Sequence, residues 1–573
     1  MKPTNRTELG QAIHQFRKTF YSLTAFSCVI NLLGLTPALF MLQVYDRVLS
    51  SRNETTLLML VLLVGGLYLI SALLEFARSR VLIRVGNKLD MTLNQRVFTA
   101  SFERNLRQSG GNPSQALNDL ITVRQFMTGN SLFAFIDTPW TPIYMGVAFL
   151  IHPILGFVML GGSIVLIVLA YFNSVSTQKP LADANRASVA SSHFADNHLR
   201  NAEVIESMGM LPGLRMRWLK MHAHVLSLQT LASDRSARFT GATRFIRMYL
   251  QSLILAAGAV LVLTGDITPG MMIVCSLLMG KALAPVEQVI GAWKHMIAAR
   301  ESYKRLDELL ESAPQRGETL SLPAPKGHVL VENLIAGAPG QPAPILRGVS
   351  FEAQPGEVVG VIGPSASGKS TLARLLVGVW GARAGSVRLD GADIYLWNKD
   401  ELGPHLGYLP QDIELFDGTI AENICRFAEP DSEKIIQAAQ RAGVHEMILR
   451  LPKGYDTPLG SGGGVSLSGG QKQRLGLARA MYGNPAMVVL DEPNSNLDDV
   501  GERALVAAIN DLKQRGTTVF LITHRMNILQ VVDKLLVMRE GSVAMYGPRQ
   551  QVLTALQQQQ APAVKKSNPN ALN

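Results

Sequence analysis

The sequence predicts two fold classes in one chain: a membrane α-helical domain of six spans, then an α/β domain built on a phosphate-binding loop. Three observations predict it. Long apolar runs fill the residues before about Trp293, and those after about Pro325 read as a soluble α/β domain. A mean hydropathy of +0.17 with 17% charged residues is low in charge for a wholly soluble protein. Finally, Gly363-Pro364-Ser365-Ala366-Ser367-Gly368-Lys369-Ser370 fits G-x-x-x-x-G-K-[ST] without a mismatch. It follows the apolar run Val358 to Ile362 and opens a helix-compatible stretch, the strand–loop–helix context that motif needs.

Taken in chain order, residues 1–20 read as a cytoplasmic segment ahead of a transmembrane domain over 21–293. A bilayer crossing needs about 20 mostly apolar residues. The candidates lie near Tyr21–Val44, Thr56–Phe76, Ser131–Ile151, Leu155–Phe172, Phe245–Thr264 and Met271–Ile290. Val61–Leu74 and Gly161–Ala170 are apolar all round, a pattern rarer in buried soluble helices than in spans. No cleavable signal peptide is expected, because the first apolar stretch is long and lacks a small-residue cleavage site. The connections at His152-Pro153 and Asp266–Pro269 carry no Lys or Arg. The segments between spans two and three (Arg78, Arg84, Lys88, Arg96) and four and five (Lys179, Arg186, Arg215, Lys220) are basic. The positive-inside rule places them, both termini and the α/β domain in the cytoplasm.

That bias accounts for the formal charge of +10. A nucleic-acid partner is not expected: the charge is spread along helices beside anionic headgroups, with no RNA- or DNA-binding motif. Cys28, Cys275 and Cys425 are too scattered for a metal site or disulfide framework. Turns near Asn105–Pro113 and Met208–Gly213 interrupt the cytoplasmic segments. Lys281, in mid-span, either faces a wet cavity or a partner or snorkels to the interface. Glu287 faces a cavity or partner too, and its spacing from Lys281 does not suit an i,i+4 pair. A linker covers 294–326, with a helix over Ala298–Glu311 and a Pro-rich hinge at Ser321–Pro325. The ATP-binding domain follows over 327–560; the Gln557–Gln560 run and a tail over 561–573 read as disordered.

Each motif of the α/β domain carries a chemistry. Gly363 and Gly368 let backbone N–H groups turn inward as a nest for phosphate oxygens at a helix N-terminus. Lys369 reaches the terminal phosphates and Ser370 offers a hydroxyl to Mg²⁺; Thr371 closes the cradle. Met487–Leu490 is a short apolar strand that delivers Asp491 and Glu492 at its C-terminal tip, where open α/β sheets bind ligands. Asp491 is the expected Mg²⁺ partner and Glu492 the group that orients and activates the attacking water.

With Leu467-Ser468-Gly469-Gly470-Gln471 added, the chain resembles the ATP-binding cassette (ABC) proteins. The resemblance implies ATP and Mg²⁺ as cofactors and a six-span type I ABC exporter fold. It makes His524 the switch histidine on the γ-phosphate, Gln411 the glutamine that senses Mg²⁺, and Asp498 a dimer-contact aspartate. Ser468, Gly469, Gly470 and Gln471 would complete the nucleotide site of a partner chain, so a homodimer is implied. The family stacks adenine on an aromatic just upstream, yet Leu334–Pro339 contains none. That departure puts base selectivity in doubt.

Leu42–Val48, Asp137-Thr138-Pro139-Trp140-Thr141-Pro142 and Asp491–Asp498 together resemble the ATPase/permease of bacterial type I secretion systems. The nearest branch exports proteases, lipases and haem-scavenging proteins. The implied partners are a periplasmic membrane-fusion adaptor, an outer-membrane channel and a secreted polypeptide with a C-terminal signal, and the implied place is the Gram-negative inner membrane among its lipids. The first span starts within about twenty residues, so no N-terminal peptidase domain is expected. Pro139–Pro142 reads equally as a structural kink. An exporter of lipids or small hydrophobic compounds would share every ATPase motif; a non-transporting ABC ATPase would lack the spans.

Overall fold

The computed structural model describes residues 7–107, 114–199, 201–314, 321–460, 464–465 and 467–560. The chain divides into two compact units near residue 315.

The first unit is all helix. Among the described residues, six helical segments are long and apolar enough to cross a membrane: Arg17–Ser51, Glu54–Arg107, Ser131–Ile151, Pro153–Leu199, Leu211–Leu263 and Pro269–Ser312. Each expected span falls inside one of them, save that the fifth overruns its helix by one residue, Thr264. Four of the helices run far past the apolar run, to 54, 47, 53 and 44 residues. The second shows why. Its apolar first half exposes Leu62 and Leu69, as a lipid-facing surface should. The second half buries Leu82 against Leu23 and Phe133, then Leu89, Leu93 and Val97 at helical spacing against Leu120, Val123, Leu306 and Leu309. The N-terminal helix Glu8–His14 joins that core through Leu9, and Glu8 pairs with Arg96 at 3.0 Å.

Several expectations change in detail. Residues 298–311 are helical, but as the end of the sixth-span helix, which runs through Pro285 to Ser312 without a break. The helical unit therefore continues past 293, into what reads in the sequence as linker. The second turn narrows to Met208–Met210, with Gly209 at φ +63, and Leu211 opens the next helix. Of the first, 105–107 are helical and 108–113 lie outside the described residues. Thr138–Trp140 is a single 3-10 turn between two helices, the structural-kink reading of the Pro139–Pro142 stretch. Glu287 forms an ion pair with Arg247 at 3.0 Å. Lys281 lines a cavity of about 710 Å³ together with Glu75 and Gln288, so it faces a polar space.

The second unit is α/β. Its strands are β1 (Val329–Ala336), β2 (Leu346–Ala353), β3 (Val358–Ile362), β4 (Ala384–Leu389), β5 (Ala392–Asp393) and β6 (Leu406–Leu409), followed by β7 (Gly418–Thr419), β8 (Pro458–Leu459), β9 (Met487–Asp491), β10 (Thr518–Ile522), β11 (Lys534–Arg539) and β12 (Ser542–Pro548). The main sheet has the order β12-β11-β3-β10-β9-β6, parallel from β11 to β6. Strands β9 and β10 are buried at every position and β3 at all but its last, hence their unbroken apolar sequence. An antiparallel sheet, β2-β1-β4-β5, stands beside it. Gln557–Gln560, expected to be disordered, instead finishes the helix Arg549–Gln560, which anchors to the core through Val552. The 561–573 tail lies outside the described residues.

Candidate nucleotide site

Parallel strands deliver their C-terminal ends to one edge of the sheet, and the expected site residues gather there. The loop leaves β3 at Gly363 and enters the helix Lys369–Leu376 after Gly368. Both glycines are required. Gly363 has φ +156, and a Cβ on it would lie 2.3 Å from the Met538 carbonyl oxygen. Gly368 has φ +97, and its Cβ would meet the Leu346 side chain at 2.6 Å. Ala366 also sits in the left-handed region, at φ +64. Lys369 folds back over the loop and donates from Nζ to the carbonyl oxygens of Gly363 and Pro364, each at 2.9 Å. Burial pushes its ammonium pKa down, opposed by the charges of Glu492 and Asp491.

At the tip of β9, Asp491 is 3% exposed and its Oδ1 meets no hydrogen-bond partner among the described residues. Burial raises its carboxyl pKa, a hydrogen bond from Ser370 opposes the rise, and the Glu492 charge adds to it. A buried, unmet carboxylate oxygen beside a serine hydroxyl is what a hard cation requires of its ligands. The loop, Ser370 and Asp491 therefore fit Mg²⁺ with nucleotide.

Glu492 stands at the centre of the constellation. Its Oε2 accepts from Gln411 Nε2 at 3.1 Å, and its Oε1 lies 3.2 Å from His524 Nε2. Three expected residues from three strand ends are thus in direct contact. The Glu492 backbone is left-handed, at φ +51, a conformation that persists only when its surroundings over-determine it. Two hydrogen bonds do so: its N–H donates to Ile522 O at 3.0 Å, and its carbonyl accepts from Gln473 Nε2 at 3.1 Å. Gln473 also accepts from Asn496 N–H at 3.0 Å, and it is 2% exposed. Sequence reading passed over Gln473, although a glutamine on the buried face of a helix beside Leu477 and Ala480 was a signal.

The pentapeptide forms a helix start. Ser468 caps the helix Gly469–Met481 in a reciprocal box: Gln471 N–H donates to Ser468 Oγ at 3.3 Å, and Ser468 N–H to Gln471 Oε1 at 2.8 Å. Gly470 lies so close to the Asn496 carbonyl that a Cβ would approach it to 2.8 Å. Asp498 caps the helix Asp499–Gln514 by accepting from Gly501 N–H at 2.8 Å. Among the described residues, no hydrogen bond joins Leu467–Gln471 to the loop at Gly363–Ser370. Near Leu334–Pro339, Arg383 ties the following loop by donating to the carbonyls of Gln341 and Pro342, and no aromatic side chain comes from that stretch.

Comparison with known proteins matches both units. Residues 346–495 fit the family described as ABC transporter, and 21–286 the ABC transporter transmembrane region. The type I secretion system ATP-binding protein PrsD of Rhizobium meliloti (strain 1021) is 45% identical over 544 residues, 95% of this chain and 93% of that protein. The leukotoxin translocation ATP-binding protein LktB of Mannheimia haemolytica is 29% identical over 95% of this chain and 77% of its own length. A bacterial Atm1-family ABC exporter with ATP bound superposes with a TM-score of 0.79, at 22% identity, over 96% of this chain and 99% of that one; that likeness is one of fold.

Proposed function

This chain belongs to the ABC transporter family, a multi-pass membrane protein that couples ATP hydrolysis to export, and from that premise we propose that it is the ATPase/permease of a type I secretion system. Its cargo is an unfolded polypeptide with a C-terminal signal, of the protease or lipase kind. The cargo passes through a periplasmic adaptor and an outer-membrane channel from the inner membrane of a Gram-negative cell. The observation that carries this reading is the 45% identity, along 95% of the chain, to a type I secretion protein.

The geometry supports a role for each site residue. Backbone N–H groups of the Gly363–Thr371 cradle bind phosphate oxygens, and Lys369 exchanges its two loop carbonyls for them. Ser370, Asp491 and Gln411 are the side chains that would hold Mg²⁺, which when bound neutralises charge on the phosphates. Glu492 orients the attacking water and accepts its proton. His524 and Gln411 set the position of that carboxylate and read the γ-phosphate beside it. Among the described residues no hydrogen bond joins the pentapeptide to the loop of its own chain, which supports a site that Ser468–Gln471 and Asp498 of a second copy complete. Two chains then make two equivalent sites that close on ATP and reopen after hydrolysis.

The test is the ATPase of the protein in lipid vesicles, with a peptide carrying a C-terminal secretion signal or with added lipids. Stimulation by the peptide is expected. Stimulation by lipid alone would replace the polypeptide reading with that of a lipid exporter.

A further inference from the structure

The first unit holds a second cavity, of about 700 Å³, between the fourth, fifth and sixth spans, at the end that carries their basic extensions. It is unlike a lipid-facing groove. Asn173 and Thr243 are each 4% exposed, line the cavity, and leave Asn173 Oδ1 and Thr243 Oγ1 without a hydrogen-bond partner among the described residues. Trp293 Nε1 on the same wall is buried and unmet as well. Buried polar groups are normally satisfied, so three unmet ones around one cavity mark a place where a ligand supplies the missing partners. The charge is lopsided too. Glu287 is matched by Arg247, while Arg244 and Lys294 line the wall with no ion pair among the described residues.

We propose that this cavity docks a segment of acidic polypeptide at the entrance to the spans, one segment per chain. The inference rests on the polypeptide-export reading and names where the cargo is first held. A peptide offers an N–H for every C=O, so it meets the acceptor Asn173 Oδ1 and the donor Trp293 Nε1 together, with Thr243 free to serve either way. Aspartate and glutamate side chains then answer Arg244 and Lys294. The phosphate of a phospholipid headgroup fits less well on its own: it offers only acceptors, and Asn173 Oδ1 would need an ammonium or hydroxyl of the headgroup besides.

The experiment measures ATPase stimulation of the full-length protein in vesicles of neutral lipid by a short Asp-rich peptide and by its Lys-rich counterpart. The native protein responds to the acidic peptide. The double variant R244E/K294E weakens that response by about tenfold in half-maximal concentration and gains one to the basic peptide. A photoreactive side chain at Ser236, on the cavity wall of the otherwise native chain, crosslinks to the acidic peptide. Native stimulation with an unchanged preference in the variant and no crosslink at Ser236 overturns the docking site and leaves the export reading standing. Crosslinking at Ser236 to anionic lipid in place of peptide overturns it in favour of a headgroup site. If neither peptide stimulates the native protein, while a signal-bearing polypeptide also fails to, the export reading falls with it.

Discussion

Glu492 concentrates the argument at the residue scale, because its carboxylate touches Gln411 and His524 while its backbone occupies a strained conformation. A group that must meet an attacking water cannot wander, and Gln473 holds it from the far side. Glu492→Gln should keep ATP binding and cut turnover by roughly 10²–10⁴-fold, the range for a lost general base. Gln473→Leu leaves Asn496 N–H unmet and the Glu492 carbonyl with the Ser495 N–H alone, at 3.3 Å, for a destabilisation of about 1–3 kcal/mol. It should lower kcat with little change in KM for ATP, since the cradle at Gly363–Ser370 is untouched; steady-state kinetics on both variants check this. Glu492 was legible in the sequence, whereas Gln473 showed only as a polar residue on a buried helix face, with its role undisclosed. A carboxylate at a strand end declares its chemistry, whereas Gln473 matters only through which carbonyl the fold brings to it. Arg426 is similar: it donates to the carbonyls of Gly403, Leu406, Arg479, Ala480 and Tyr482, a web no local pattern discloses. Burial pushes its pKa down to about 10, so it stays charged at neutral pH.

Among the elements, the helix Gly469–Met481 joins packing to function. Its buried face carries Leu475, Leu477 and Ala478 into the core, and its N-terminus presents Gly469 and Gly470 under the Ser468–Gln471 box. Ser468→Ala removes the cap at about 1 kcal/mol. The expected outcome is a small fall in the thermal midpoint with a larger loss of ATPase activity, because in the proposed dimer the same N-terminus completes the partner's site. Equal small losses in both would make Ser468 a cap only. The long helices of the first unit show where sequence reading stops short. Hydropathy marks the stretch that meets lipid, and it ended the second span near Phe76. The helix continues to Arg107 because Leu82, Leu89, Leu93 and Val97 form a narrow apolar stripe among charges, which averaging over a window conceals. Likewise, the helix over 298–311 was legible as an element but not as a continuation through Pro285.

For the whole molecule, one chain carries one phosphate loop and one Leu467–Gln471 pentapeptide, and among the described residues no hydrogen bond joins them. The proposed dimer, two copies of six spans each, would be a symmetric machine with paired ATP sites. What that machine moves is a question for cells. The most direct measurement follows a polypeptide with a C-terminal secretion signal in Gram-negative cells that carry this chain, an adaptor and an outer-membrane channel. The account predicts cargo in the medium with no periplasmic pool, and cargo retained in the cytoplasm when the chain is Glu492→Gln. Cargo reaching the medium at the native rate with Glu492→Gln, or collecting in the periplasm with the native chain, would contradict it.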